Sequence, residues 1–167
     1  MATRSDFSAE QWQALRNAPQ LVALATAAAG NSGLLGSISE GMALASTMAE
    51  TLRGQQPLLK EIFAKDEMLA AQDHIKSMLR SVTDKSALNS SLQKAASDAV
   101  TAALAALTTK GATTDADAYR ALLTGIGEKI ANASKEGGFL GFGGERVSEG
   151  ERQFLAQLNA LTGSKRA

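Results

Sequence analysis

Apolar residues recur every three or four positions through nearly every segment of this chain, and glycines separate the segments. That spacing puts the apolar side chains on one face of a helix. No convincing run alternates apolar with polar residues, only two prolines occur, and β-branched and aromatic residues are sparse, so no sheet is expected. The pattern predicts an all-α fold: six to eight helices in one compact bundle, a single domain over residues 1–162, with residues 163–167 a frayed, disordered tail.

Several helix boundaries can be read directly. Ser8 with Gln11 three residues on forms a capping box, and Phe7 and Trp12 stand at the two positions of a hydrophobic staple. Pro19 then allows two readings: a new helix capped by Asn17, or one kinked helix running to a stop at Gly30. Leu34, Ile38, Met42, Ala45, Ala49 and Leu52 mark a further helix. Another begins at Pro57 with Leu58, Leu59, Ile62 and Phe63 apolar. Asp66 can cap a segment built on Leu69, Ile75, Leu79 and Val82.

Thr83-Asp84 is read as the start of the longest helix, whose face is Leu88, Leu92, Ala95, Ala96, Ala99, Ala103 and Leu107, with Gly111 as its stop. Small residues allow close helix approach, so this helix is expected at the centre. Thr114 with Asp117 resembles a capping box, followed by Tyr119, Leu122, Leu123, Ile126 and Ile130. Gly125 and Gly127 cost that helix roughly 1 kcal/mol each against alanine, which predicts a bend or a close crossing. Ser148 with Glu151 is a second full capping box, leading into Phe154, Leu155, Leu158 and Leu161.

Charge and composition exclude several classes of function. The formal net charge is zero, with 17 basic and 17 acidic residues interspersed. No basic face for nucleic acid is apparent, and no strong pull toward anionic membranes is expected. Cysteine is absent, which removes disulfides, thiolate metal sites and a cysteine nucleophile, and suits a cytoplasmic protein. No signal peptide is recognised, and the run Leu21 to Ala29 is too short to span a bilayer.

Candidate chemistry is thin. His74, the sole histidine, reads as solvated surface. Ser91 and Lys94 match a Ser-x-x-Lys spacing, but the partner motifs of serine acyl-transferring enzymes are missing. Asp115 and Asp117 could hold a hard cation, yet acids in a first helical turn already complement the macrodipole and its open amides. Glu145, Glu149 and Glu151 cluster after the glycine stretch, but Glu151 is engaged by its capping box and Glu149 complements the same helix start, so a metal site there would need ligands from elsewhere. No cofactor, no tight divalent metal and no catalytic site are expected.

The most unusual stretch is Gly137-Gly138-Phe139-Leu140-Gly141-Phe142-Gly143-Gly144. It lacks Gly-Lys-Ser/Thr and follows no strand, so it is not a nucleotide loop. Three readings stand: Phe139, Leu140 and Phe142 plug the core, they anchor a protein partner, or they wedge into a membrane surface. Core plugging is favoured, because a capping box and a glycine stop fix both ends of the loop.

Residues 119–163 resemble the tellurite-resistance B-like (TerB-like) helical domains of bacteria. The likeness rests on Ala121-Leu-Leu123, Ile130-Ala131, Ala133, a glycine turn, Val147-Ser148-Glu149 with Glu151, then Leu155, Leu158, Leu161 and Gly163. It implies a small bacterial helical bundle linked to stress response. The family's Asp-Gly turn, suspected of binding metal, is replaced here by Glu136-Gly137 and the aromatic insertion. The expected function is a non-catalytic cytosolic module that binds a protein partner or self-associates. The alternative is a bundle holding a small apolar ligand, or touching membrane, through the Gly137–Gly144 loop.

Overall fold

A computed structural model describes residues 1–30, 56–82, 84, 87–136 and 147–163. The described residues form six α-helices and no strand: α1 (Ala9–Ala29), α2 (Pro57–Ile62), α3 (Lys65–Ser81), α4 (Leu88–Thr109), α5 (Thr113–Glu136) and α6 (Glu149–Thr162), with a short 3-10 turn at Arg4–Asp6. The all-α bundle is as expected. The proposed helix over Leu34–Leu52 and the tail beyond Gly163 lie outside the described residues.

The helix at the centre is α1, not the alanine-rich α4. It packs against α3, α4, α5 and α6, and most extensively along α4. Every residue from Asn17 to Ala29 is buried. The reason is composition: residues 17–29 carry no charged side chain, and a helix without a polar face can only be covered on all sides. The small residues of α4 do form its contact with α1, Ala96 and Ala103 being fully buried. Its outer face keeps Lys94, Asp98, Thr101 and Thr108 in solvent, so it lies at the periphery.

Pro19 does not split α1. A proline inside a helix has no N–H to give the carbonyl four residues earlier, which is that of Leu15. In the core such a carbonyl would be an unsatisfied acceptor, costing about 1–3 kcal/mol. The Tyr119 hydroxyl, reaching across from α5, donates to the Leu15 carbonyl at 2.6 Å. Tyr119 is wholly buried, and burial pushes its hydroxyl well above the ordinary value, so it stays protonated and donating. Asn17, rather than capping a second helix, lies buried within this continuous one, its Oδ1 accepting from Arg16 Nε at 3.4 Å.

Helix ends follow the sequence in most places. At α1, the Gln11 amide donates to Ser8 Oγ and the Ser8 amide to Gln11 Oε1, at 3.2 and 3.0 Å. The rings of Phe7 and Trp12 lie 6.2 Å apart, completing the staple. At α6, the Ser148 amide donates to Glu151 Oε2 at 2.8 Å and the Glu151 amide to Ser148 Oγ at 3.2 Å. Gly111 ends α4 at φ 63°, with its own amide bonded to the Thr108 carbonyl and that of Ala112 to Leu107. That pair of bonds is a Schellman motif, which needs a left-handed residue at the glycine.

Four boundaries or faces differ. Helix α3 begins at Lys65 with Ala64 as its N-cap, so Asp66 lies within the first turn rather than capping it. Helix α4 begins at Leu88, later than Thr83-Asp84, and at 22 residues it is shorter than α5 at 24. Helix α5 begins at Thr113, so Thr114 is inside its first turn and Asp117 pairs with Arg120 at 2.8 Å. Leu69 is 50% exposed, because the face of α3 turned inward runs through Ala71 and Ile75 instead.

Candidate functional site

Phe139, Leu140 and Phe142 lie outside the described residues, as does Glu145. The segment's anchors are described. Ala29 and Gly30 at the end of α1 meet Ser148, Gly150 and Glu151 at the start of α6. Ser148 Oγ donates to the Ala29 carbonyl at 3.3 Å. A Cβ on Gly150 would stand 2.6 Å from that same carbonyl oxygen. The negative end of one helix dipole thus faces the positive end of the other, in direct backbone approach. Among the described residues, the two helix ends are in direct contact at this junction.

The other end of α1 is open. A groove of about 610 Å³ is lined by Thr3, Arg4, Ser5, Trp12, Glu61, Ala64, Asp66 and Glu67. Its floor is the staple tryptophan. One wall is the 3-10 turn, and the other is the tight connection from α2 into α3. Glu67, in the first turn of α3, is buried, with the guanidinium groups of Arg4 and Arg16 at 2.5 and 3.1 Å from its two oxygens. A buried carboxylate persists only when paired in this way. The Arg4 amide donates to Glu61 Oε2 at 2.6 Å. Its guanidinium carbon lies 5.8 Å from the centroid of Trp12, a cation–π approach.

Further back, the Ala2 amide donates to Asp115 Oδ2 at 2.7 Å, in a buried bond. Residues 2–4 are therefore held by three carboxylates from three helices: Asp115 of α5, Glu61 of α2 and Glu67 of α3. Two buried atoms at these docking points have no hydrogen-bond partner, Trp12 Nε1 and Asp115 Oδ1.

The remaining sequence candidates do not converge on this groove or on each other. His74 is exposed, with both ring nitrogens 3.3–3.4 Å from Gln13 Nε2. Lys94 pairs with Asp98 at 2.5 Å on the exposed face of α4. Asp115 and Asp117 have separate partners, Ala2 and Arg120. Glu149 pairs with Arg152 at 2.8 Å and accepts from Gln153, and these hydrogen bonds, the arginine's first, hold its carboxyl below the usual range. Among the described residues, no three acidic or histidine side chains gather as a cation site. No helix among them is long and apolar enough to cross a membrane.

The groove was missed in the sequence because its parts come from residues 3–12 and 61–67. The one available signal was Arg4 in an opening otherwise read only for its cap. No protein family, no curated protein and no solved structure matches this chain.

Proposed function

We propose that this chain is a non-catalytic protein-interaction module, of the bacterial cytosolic, stress-linked kind that its likeness to TerB-like domains implies. The observation that supports binding over turnover is the state of the groove's charges. Glu67 is paired with two arginines and Glu61 is engaged by a backbone amide, so these carboxylates already act as acceptors for donors laid in the groove rather than as free bases. A general acid or base must be within reach of a substrate proton and able to exchange its own. A buried carboxylate clamped between two guanidinium groups is poorly suited to that.

Selection of displayed peptides against the folded chain tests the proposal. Enrichment of a shared motif, with saturable binding of the corresponding synthetic peptide, supports it. Turnover of an ester, phosphoester or peptide substrate that disappears in Glu67→Gln contradicts it. Sedimentation velocity over a concentration series separately tests self-association.

A further inference from the structure

The groove divides into two sides of different character. Trp12, Glu61, Ala64, Asp66 and Glu67 form a fixed side that belongs to α1, α2, α3 and the connection between the last two. Thr3, Arg4 and Ser5 form the other side and are a short length of chain laid against it. The fixed side lines the groove with three carboxylates and an aromatic ring, and its own Arg16, behind them, meets only one oxygen of Glu67. The chain laid on it brings a guanidinium to the other oxygen of Glu67 and a backbone N–H to Glu61. This arrangement is that of a receptor holding a peptide.

We propose that the fixed side is a docking site for a short, arginine-bearing peptide segment of a partner protein, and that residues 2–6, which hold Arg4 in a 3-10 turn, are its occupant in cis. Charge complementarity identifies the class of ligand: two acceptor carboxylates, Glu61 and Glu67, with Asp66 beside them and an indole face, call for a guanidinium on a short turn of backbone. The fit of the cis occupant is incomplete in two places. Trp12 Nε1 is a buried donor with no acceptor, and Asp115 Oδ1 is a buried acceptor with no donor. The cis segment is also lightly held at its key residue, the Arg4 side chain being 62% exposed. A segment that supplied a carbonyl to the indole would satisfy more of the groove than residues 2–6 do. The claim rests on the interaction-module reading and adds to it a site and a ligand class.

The test uses the full chain and two synthetic peptides, one with the sequence of residues 1–8 and a twin in which citrulline replaces arginine. Trp12 is the sole tryptophan, so fluorescence excited where the one tyrosine does not absorb reports on the groove floor. In Arg4→Gln the cis guanidinium is gone while the backbone remains. The arginine peptide is expected to shift Trp12 emission saturably in this variant, binding at least about tenfold tighter than to the unaltered chain, where a tethered competitor acts at high effective concentration. The citrulline peptide is expected to bind about ten- to a hundredfold more weakly, the loss of a charge-assisted hydrogen bond. An Arg4→Gln chain with full helical circular dichroism and no saturable response overturns the proposal. So does an equal response to both peptides, or equal affinity with and without Arg4. Display selection or sedimentation that still shows a protein contact would then sink the groove while leaving the interaction module standing.

Discussion

At its C-terminal end α1 runs into the start of α6 with no space between the backbones, whereas about 30 Å away its N-terminal end stands beside an open, charged groove. Both ends are flanked by the same device, a serine capping box, with Ser8 at one and Ser148 at the other. What differs is what the cap faces. Ser148 spends its hydroxyl on the Ala29 carbonyl as well as on its own helix, and Gly150 lets the two helix ends touch. Ser8 is exposed and serves only its own helix. One end is built for stability, and the other leaves a donor and an acceptor unsatisfied close to a mobile-length side chain. Identical local sequence signals therefore carry different roles once the surroundings are fixed.

The contrast can be broken first where α1 meets α6. Gly150→Ala places a methyl group 2.6 Å from a backbone oxygen, which cannot swing away, and should cost about 1–3 kcal/mol. Gly127→Ala is the control. Its Cβ would meet Leu155 and Leu158 methyl groups at 2.8 and 3.0 Å, the ends of side chains that can shift. With about 1 kcal/mol of helix propensity returned, its net effect should be near zero. Urea midpoints of the two variants check the ranking. Equal losses would mean that the α1–α6 junction is no tighter than an ordinary helix crossing.

Removing each cap gives a smaller effect. Ser148→Ala should cost about 1–2 kcal/mol, since both the cap and the bond to Ala29 are lost, while Ser8→Ala should lie near the lower end of about 0.5–2 kcal/mol. At the groove, Arg4→Ala should change stability by less than about 1 kcal/mol, its side chain being largely in solvent. The smallest effect is on pH dependence. Glu149 has its carboxyl lowered in the folded state, first by Arg152 and then by Gln153. Its contribution is therefore present above the ordinary carboxylate range and is lost as pH falls through the lowered value. Glu149→Gln should flatten the acid limb of stability slightly, as read from urea midpoints across an acidic series.

Local chemistry was the legible part of this sequence. The two serine capping boxes, the staple and the glycine stop at Gly111 are each contained within a few residues, and each is found where the pattern put it, whereas the weaker caps read at Asn17, Asp66 and Thr114 are not. The inward faces of α2, α5 and α6 were legible too, through Ile62, Leu122, Ile126, Phe154 and Leu158. The identity of the central helix was not recovered, because small residues in α4 were weighed above the absence of charge over residues 17–29. The latter is the stronger constraint, since a solvated face needs polar groups and close approach does not need centrality. The groove and the bond from Ala2 to Asp115 were out of reach, as each joins residues far apart in the chain.

The account depends most on α1 running unbroken through the core despite Pro19, with Tyr119 supplying the donor that the proline lacks. A double-mutant cycle on Pro19→Ala and Tyr119→Phe, followed by chemical denaturation, tests this directly. In the unaltered background Tyr119→Phe should cost about 1–3 kcal/mol, because it leaves the Leu15 carbonyl buried and unpaired. In the Pro19→Ala background the new amide at position 19 can reach that carbonyl, so the same substitution should cost distinctly less. A Tyr119→Phe penalty that is the same in both backgrounds would contradict the claim that the tyrosine repairs the proline's breach.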